Sequence, residues 1–256
     1  MHTEDQLLEQ IKALGVQPDD TLIVHTSLKS IGQLDTSAKS GAEVLISALR
    51  RAVPKGLLLI PAFTFANIRQ TPVFDIRNTQ PCIGAVPCMA VQLANEAYDK
   101  KDRTCVRSFH VSHSVVAFGD TAYEYTADDS RSSTPTPFHG CIGKLYEADA
   151  KMLYIGVDIT KTTFMHAVDE YLEPDGLSAP YLITATDYDG TQVTRQARNC
   201  QGPSRKYGIY EPYLQEAGGI SYGKLGDAQT RLVSACKCFD VVKAYRETVF
   251  KAAAKK

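Results

Sequence analysis

His166 stands three residues before Asp169 and four before Glu170, in the stretch Thr163-Phe-Met-His-Ala-Val-Asp-Glu170. At about 3.6 residues per turn, both carboxylates fall on the histidine's side of a helix. A histidine oriented by a carboxylate is suited to general-base work near neutral pH. The same spacing describes an ordinary helix start, where the dipole favours acids in the first turns. What must position the histidine is legible just upstream. Met152–Val157 is an apolar run that reads as a buried strand, and Asp158–Thr163 is a loop able to cap the helix.

Three other loops carry polar chemistry. His25–Gly32 follows a short apolar run, Thr21–Val24. A turn after a buried strand presents backbone N–H groups to phosphate oxygens, and Ser27 and Ser30 add hydroxyls. An ordinary strand-to-helix turn has the same composition. Neither G-x-x-x-x-G-K-S/T nor G-x-G-x-x-G occurs in the chain. Arg107–Gly119 holds His110 and His113, which suit a metal but lack a third ligand at a telling spacing. They suit equally well hydrogen bonds that hold a tight turn. Ser132–Gly143 has the punctuation of an ordered loop, with His139 as a polar member and Cys141 as a candidate reactive thiol. Gly219-Ile-Ser-Tyr-Gly223 matches G-x-S-x-G, yet no histidine follows His166, so a Ser…Asp…His hydrolase order cannot be completed.

The remaining pattern alternates. Helical stripes are expected over Glu4–Leu14, Ser40–Val53 with Ser40 as cap, Ile83–Tyr98, Gly143–Ala148, Thr163–Leu172 and Asp240–Phe250. Strands are expected at Thr21–Val24, Gly56–Pro61, Val106–His110, Ser114–Phe118 and Lys151–Val157. Leu182–Asp187 and Thr191–Arg195 flank a Tyr188-Asp-Gly190 hairpin signal. This predicts an α/β fold: a three-layer α/β/α domain with a central mixed, largely buried sheet. Between 173 and 226 prolines, glycines and tyrosines accumulate, which predicts an inserted substrate-facing lobe in a single domain spanning 1–256.

The totals narrow the class. The chain has 256 residues, 44% hydrophobic and 22% charged, with a net charge of -1. That is the composition of a globular domain with a core, and it offers no electrostatic draw for nucleic acid or an anionic membrane. No run of about 18 apolar residues is present, and the N-terminus lacks a signal-peptide pattern. The seven cysteines include no C-x-x-C pair; Cys236 and Cys238 form a C-x-C expected on a strand, pointing the same way. Reduced thiols and a cytoplasmic location are expected, without a zinc site.

Taken together, the loops resemble the aminoglycoside 3-N-acetyltransferase family. The family's V-H-S/T-S-L-x-S-I/L-G loop is similar to Val24-His-Thr-Ser-Leu-Lys-Ser-Ile-Gly32, and its P-x-F-T strand end to Pro61-Ala-Phe-Thr64. Its R-S-x-H-P-x-H-S segment resembles Arg107-Ser-Phe-His-Val-Ser-His-Ser114. Its T-P-F/C/Y-G-x-x-S-x-x-G-K/R-L loop is echoed by Thr136–Leu145, and its T-x-x-H-x-x-E helix by Thr163–Asp169. Five motifs in order span about 150 residues.

The resemblance implies acetyl transfer from acetyl-coenzyme A, as co-substrate, to a primary amine of an aminoglycoside or related amino sugar, without a metal. It implies His166 as the base, with Asp169 or Glu170 as its partner and His113 and Thr64 lining the site. It also implies coenzyme binding by Ser27, Leu28, Ser30, Ile31, Gly32, Ser112, Ser114 and Val115. The partners it implies are a small-molecule amine, with neither nucleic acid nor membrane, in a monomer or homodimer. Three departures stand out: Asp169 where the family has glutamate, Val111 where it has proline, and no clear counterpart of the third loop's serine. Arg195, Arg198, Arg205 and Lys206 also offset the carboxylates of the lobe, whereas a polycation pocket calls for negative charge. A relative that binds coenzyme A without aminoglycoside transfer, and a metal-dependent hydrolase using His110, His113 and His166, are the alternatives.

Overall fold

The computed structural model describes residues 1–127, 129, 139–173, 179–198 and 204–253. Cys200 and the Thr136-Pro-Phe138 part of the third loop lie outside them. The elements in chain order are α1 (Glu4–Ala13), β1 (Thr21–Thr26), α2 (Gly41–Ala52), β2 (Leu57–Pro61), α3 (Phe65–Gln70), β3 (Val73–Asp75) and α4 (Ala85–Asp99). There follow β4 (Cys105–Arg107), β5 (Val115–Phe118), α5 (Ala122–Thr126), α6 (Gly140–Glu147), β6 (Lys151–Ile155) and α7 (Phe164–Leu172). The chain continues through β7 (Tyr181–Thr186), β8 (Gln192–Ala197), α8 (Glu211–Glu216), β9 (Ile220–Leu225), β10 (Ala228–Ser234) and α9 (Ala235–Ala253).

Seven strands form a mixed sheet in the order β4-β5-β2-β1-β6-β10-β9. Its centre is parallel: β1 pairs β2 on one side and β6 on the other. The flanks β5 and β10 run antiparallel to their inner neighbours. The central strands are apolar along their length because both faces are covered. Successive side chains then feed opposite cores. Leu22, Leu58, Leu153 and Ile155 pack with α1, α2 and α4; Ile23, Leu59, Met152 and Tyr154 pack with α6, α7 and α9. The result is the expected α/β/α sandwich. Ser40 caps α2 as its sequence predicted, in a reciprocal capping box with Glu43.

Two expectations give way. The segment 173–226 divides between two sheets: β7 and β8 join β3 in a separate three-stranded sheet, whereas β9 is the edge of the main sheet beside β10. A separate apolar cluster, including Phe74, Ile76, Ile183 and Ala185, supports the small sheet. Cys236 and Cys238 lie in the first turn of α9, not on a strand. Residues two apart on a helix face different ways, so Cys238 is buried while Cys236 is half-buried. The G-x-S-x-G run lies along β9, a strand rather than a strand-to-helix turn. Among the described residues no helix is long and apolar enough to cross a membrane.

Candidate active site

A cleft of about 570 Å³ opens where β1, β2 and β6 end. These three parallel strands finish side by side, and the chain leaves β1 toward β2 on one side and adds β6 on the other. Such a switch in strand order leaves a crevice at the carboxyl ends. Its walls include His25 and Thr26 from β1, Pro61 from β2, Thr163 from the β6–α7 connection, His166 from α7, and His113.

The β6–α7 connection is built to present His166. Gly156 turns the chain at a φ of 65°, and a Cβ there would lie 2.3 Å from Ser30 Cβ, so β6 exits hard against the β1 loop. Asp158 then accepts the backbone N–H of Thr160, capping a short 3-10 turn, Ile159–Lys161, rather than α7 itself. In α7, Phe164, Met165, Ala167 and Val168 are all buried in the core. His166 is the residue between them that faces the cleft.

The histidine reaches its acid through a third residue. Tyr207 Oη lies 2.7 Å from His166 Nδ1 and donates to Asp169 Oδ2, also at 2.7 Å. One hydroxyl has one proton. Donation to the carboxylate therefore makes the oxygen an acceptor for Nδ1–H, which assigns His166 the tautomer with a lone pair on Nε2. Asp169 is buried and in turn bonded by Arg246 and, at 2.6 Å, by Lys206 Nζ. Arg246 also pairs with Glu173 at 2.7 Å. Burial is the largest influence on His166 and lowers its pKa; the charge of Asp169 raises it and Lys206 lowers it again. The imidazole is thus neutral at neutral pH, the form a base needs. Glu170, one residue on, is buried in α7.

His113 is held differently. Ser112 Oγ lies 2.8 Å from its Nδ1, and its ring sits 5.0 Å from Phe63 and 5.9 Å from Phe65, centre to centre. Burial pushes its pKa well down. His110 does not face the cleft. Its Nδ1 accepts the backbone N–H groups of Ser112 at 3.2 Å and His113 at 3.0 Å, the turn-holding role that sequence allowed. His25 stacks on Tyr154 at 5.2 Å, and burial lowers its pKa to about 4.

Several expected site residues lie behind the cleft wall rather than on it. Thr64 is fully buried, and its hydroxyl donates to Val111 O at 2.8 Å, so it anchors the His113 loop from behind rather than lining the cleft. Ser114 is likewise buried and donates to Ala62 O at 2.8 Å. Val115 lies inside β5, and Ile31 is buried beneath its turn. Ser112 is buried with its hydroxyl on His113. Ser27 and Ser30 are partly exposed and bonded to each other at 2.9 Å. Leu28 borders a second cleft of about 610 Å³ that also includes Ser40, Gly41 and Ala85. Gly32 has a φ of 85° and closes the turn against Asp227. Cys141 is fully buried and its thiol is pushed well up by that burial, so it is not a reactive nucleophile.

Sequence reading missed Tyr207, Lys206 and Arg246. They lie some 40 to 80 residues from Asp169, as the sequence separations of their contacts record. The only signal was the tyrosine-rich texture of that stretch, which does not single out one hydroxyl.

The fold is that of a known class of α/β enzymes. The structure of AAC-IIIb in binary complex with CoASH superposes with a TM-score of 0.78 at 20% identity, covering 96% of this chain and 97% of that one. AAC-VIa bound to sisomicin gives 0.75 at 21%, covering 96% and 98%. In sequence, aminoglycoside N(3)-acetyltransferase III of Salmonella sp is 47% identical over 60 residues, 23% of this chain. That match spans only 20% of the relative's length. Residues 23–247 match the aminoglycoside 3-N-acetyltransferase family, and the chain belongs to it.

Proposed function

We propose that the chain transfers an acetyl group from acetyl-coenzyme A to a primary amine of an aminoglycoside or related amino sugar, with His166 as general base. The observation that carries this reading is the line from His166 Nδ1 through Tyr207 Oη to Asp169 Oδ2, with the imidazole on the cleft wall. An alkyl ammonium is no nucleophile until it loses a proton. Nε2 takes that proton, and the amine attacks the thioester carbonyl; coenzyme A leaves as the thiol. The thioester is already activated, so no enzyme-bound acyl group is required. The cleft at the strand ends gives room for one substrate, and the second cleft, beside α2 and α4 with Leu28 of the β1 turn on its border, gives room for another. The family assignment and the CoASH held by AAC-IIIb support the donor. The sisomicin held by AAC-VIa supports the acceptor class.

A second reading concerns the acceptor. Among the described residues lining the first cleft are Arg69 and Lys161 but no aspartate or glutamate. A polycationic drug gains from carboxylates in its pocket. An amino sugar of low charge fits this lining better.

The test is thiol release from acetyl-coenzyme A against a panel of aminoglycosides and simple amino sugars, with His166→Ala beside the wild type. Amine-dependent release lost in the variant is the expected result. Undiminished release by His166→Ala would overturn the assignment of the base.

A further inference from the structure

We infer that Tyr207 is a positioning residue that replaces the missing methylene of the acid at position 169 and fixes the tautomer of the base. The inference rests on the reading of His166 as that base. The family motif has a glutamate where this chain has Asp169, and an aspartate is one carbon shorter. Here the gap is filled by a phenol. Tyr207 Oη bonds to both His166 Nδ1 and Asp169 Oδ2 at 2.7 Å. Its ring stands edge-on to the imidazole with centres 5.0 Å apart. Tyr207 is fully buried, so neither partner bond is traded against water.

The direction of the chain of protons is set at its far end. Asp169 is held by Arg246 and Lys206 and is an acceptor only. Tyr207 must therefore donate to it and accept from Nδ1–H. His166 is left with its lone pair on Nε2. Removing the hydroxyl lets the imidazole proton sit on either nitrogen, and removing the carboxylate's charge lets the tyrosine proton turn toward Nδ1. Both changes populate the tautomer that cannot take a proton from an amine.

The experiment pairs kinetics with the 15N spectrum of His166 in selectively labelled enzyme without substrate. The wild type is expected to show the Nδ1–H tautomer alone. Tyr207→Phe, which preserves ring volume, is expected to show both tautomers and a kcat lower on the order of 10²-fold with little change in KM. Asp169→Glu in the Tyr207→Phe background is expected to restore kcat to within about tenfold of the wild type, because the longer acid reaches Nδ1 directly. Should Tyr207→Phe fail to fold, Asp169→Asn serves, with a shift of the spectrum toward the Nε2–H tautomer expected. A wild-type spectrum showing Nε2–H, or a folded Tyr207→Phe enzyme with unchanged tautomer and kcat, overturns the inference. Full turnover by His166→Ala refutes the base assignment instead, and the spectrum still decides the role of Tyr207.

Discussion

Two walls of one cleft carry histidines, and they are connected to different things. On the α7 wall, His166 leads through Tyr207 to Asp169 and on to Lys206 and Arg246, a line of hydrogen bonds that ends in charge. Elsewhere on the cleft lining, His113 leads to a serine hydroxyl and two phenylalanine rings, and His25 to a stacked tyrosine. Burial lowers the pKa of all three. Only His166 has a carboxylate among the influences that raise it. Burial alone makes a histidine neutral, whereas a base must also hold the proton it takes. The imidazolium formed at His166 has a counter-charge two bonds away; one formed at His113 has His110, His166 and Arg69 around it, all of which disfavour it.

That contrast is broken most directly by removing each ring. His166→Ala is expected to lower kcat/KM by about 10³-fold, near the range for loss of a positioned base. His113→Ala is expected to lower it by about tenfold, through loosened contact with substrate rather than loss of proton transfer. Steady-state kinetics with the best amine of the panel measures both. Equal losses would mean that the two walls share the proton-transfer work.

How much of this was written in the sequence depends on distance along the chain. The β1, β2 and β6 strands are short apolar runs, the α2 start is a local capping box, and His166 with Asp169 is a local spacing; each was legible. Thr64 is legible at the end of a strand and Ser114 in a loop, but nothing in the sequence shows that both hydroxyls turn inward onto backbone carbonyls. A buried threonine that donates to a carbonyl 47 residues away looks, in sequence, like an exposed one. Tyr207 was invisible for the same reason: its partners lie on α7, 38 and 41 residues earlier, and only packing joins them. The helical placement of the C-x-C pair is not legible because β10 ends at Ser234 and α9 begins at Ala235, with no glycine or proline marking the junction.

His25 also makes a prediction about stability. Folded His25 titrates near 4 against an ordinary 6.5, because burial disfavours its charged form. A histidine with a depressed pKa leaves the unfolded state binding the extra proton. Stability from this group is therefore complete above about pH 6.5 and is lost as the pH falls toward 4, by up to about 3 kcal/mol. His25→Phe retains a ring to stack on Tyr154 and has nothing to titrate. Urea midpoints at pH 7 and pH 4.5 are expected to differ less in the variant than in the wild type. An equal fall in both would place the acid sensitivity elsewhere.

The smallest effect sharpens the contrast furthest, because it shifts the pKa of the proposed base without altering the imidazole itself. Lys206 pairs with Asp169 and its charge lowers the pKa of His166. Lys206→Met keeps most of the side-chain length and removes that charge. The field of Asp169 at His166 is then less compensated, so the imidazolium is favoured and the pKa of His166 rises. A base works deprotonated, so the acid limb of kcat/KM is expected to move to higher pH, with the rate on the plateau little changed. The wild-type limb should itself lie below the ordinary histidine value, since burial is the largest influence there. A pH–rate profile across pH 5 to 8 distinguishes the two enzymes. Were His113 the group taking the proton, the same substitution would leave the limb in place, since no lysine is among the influences on its pKa.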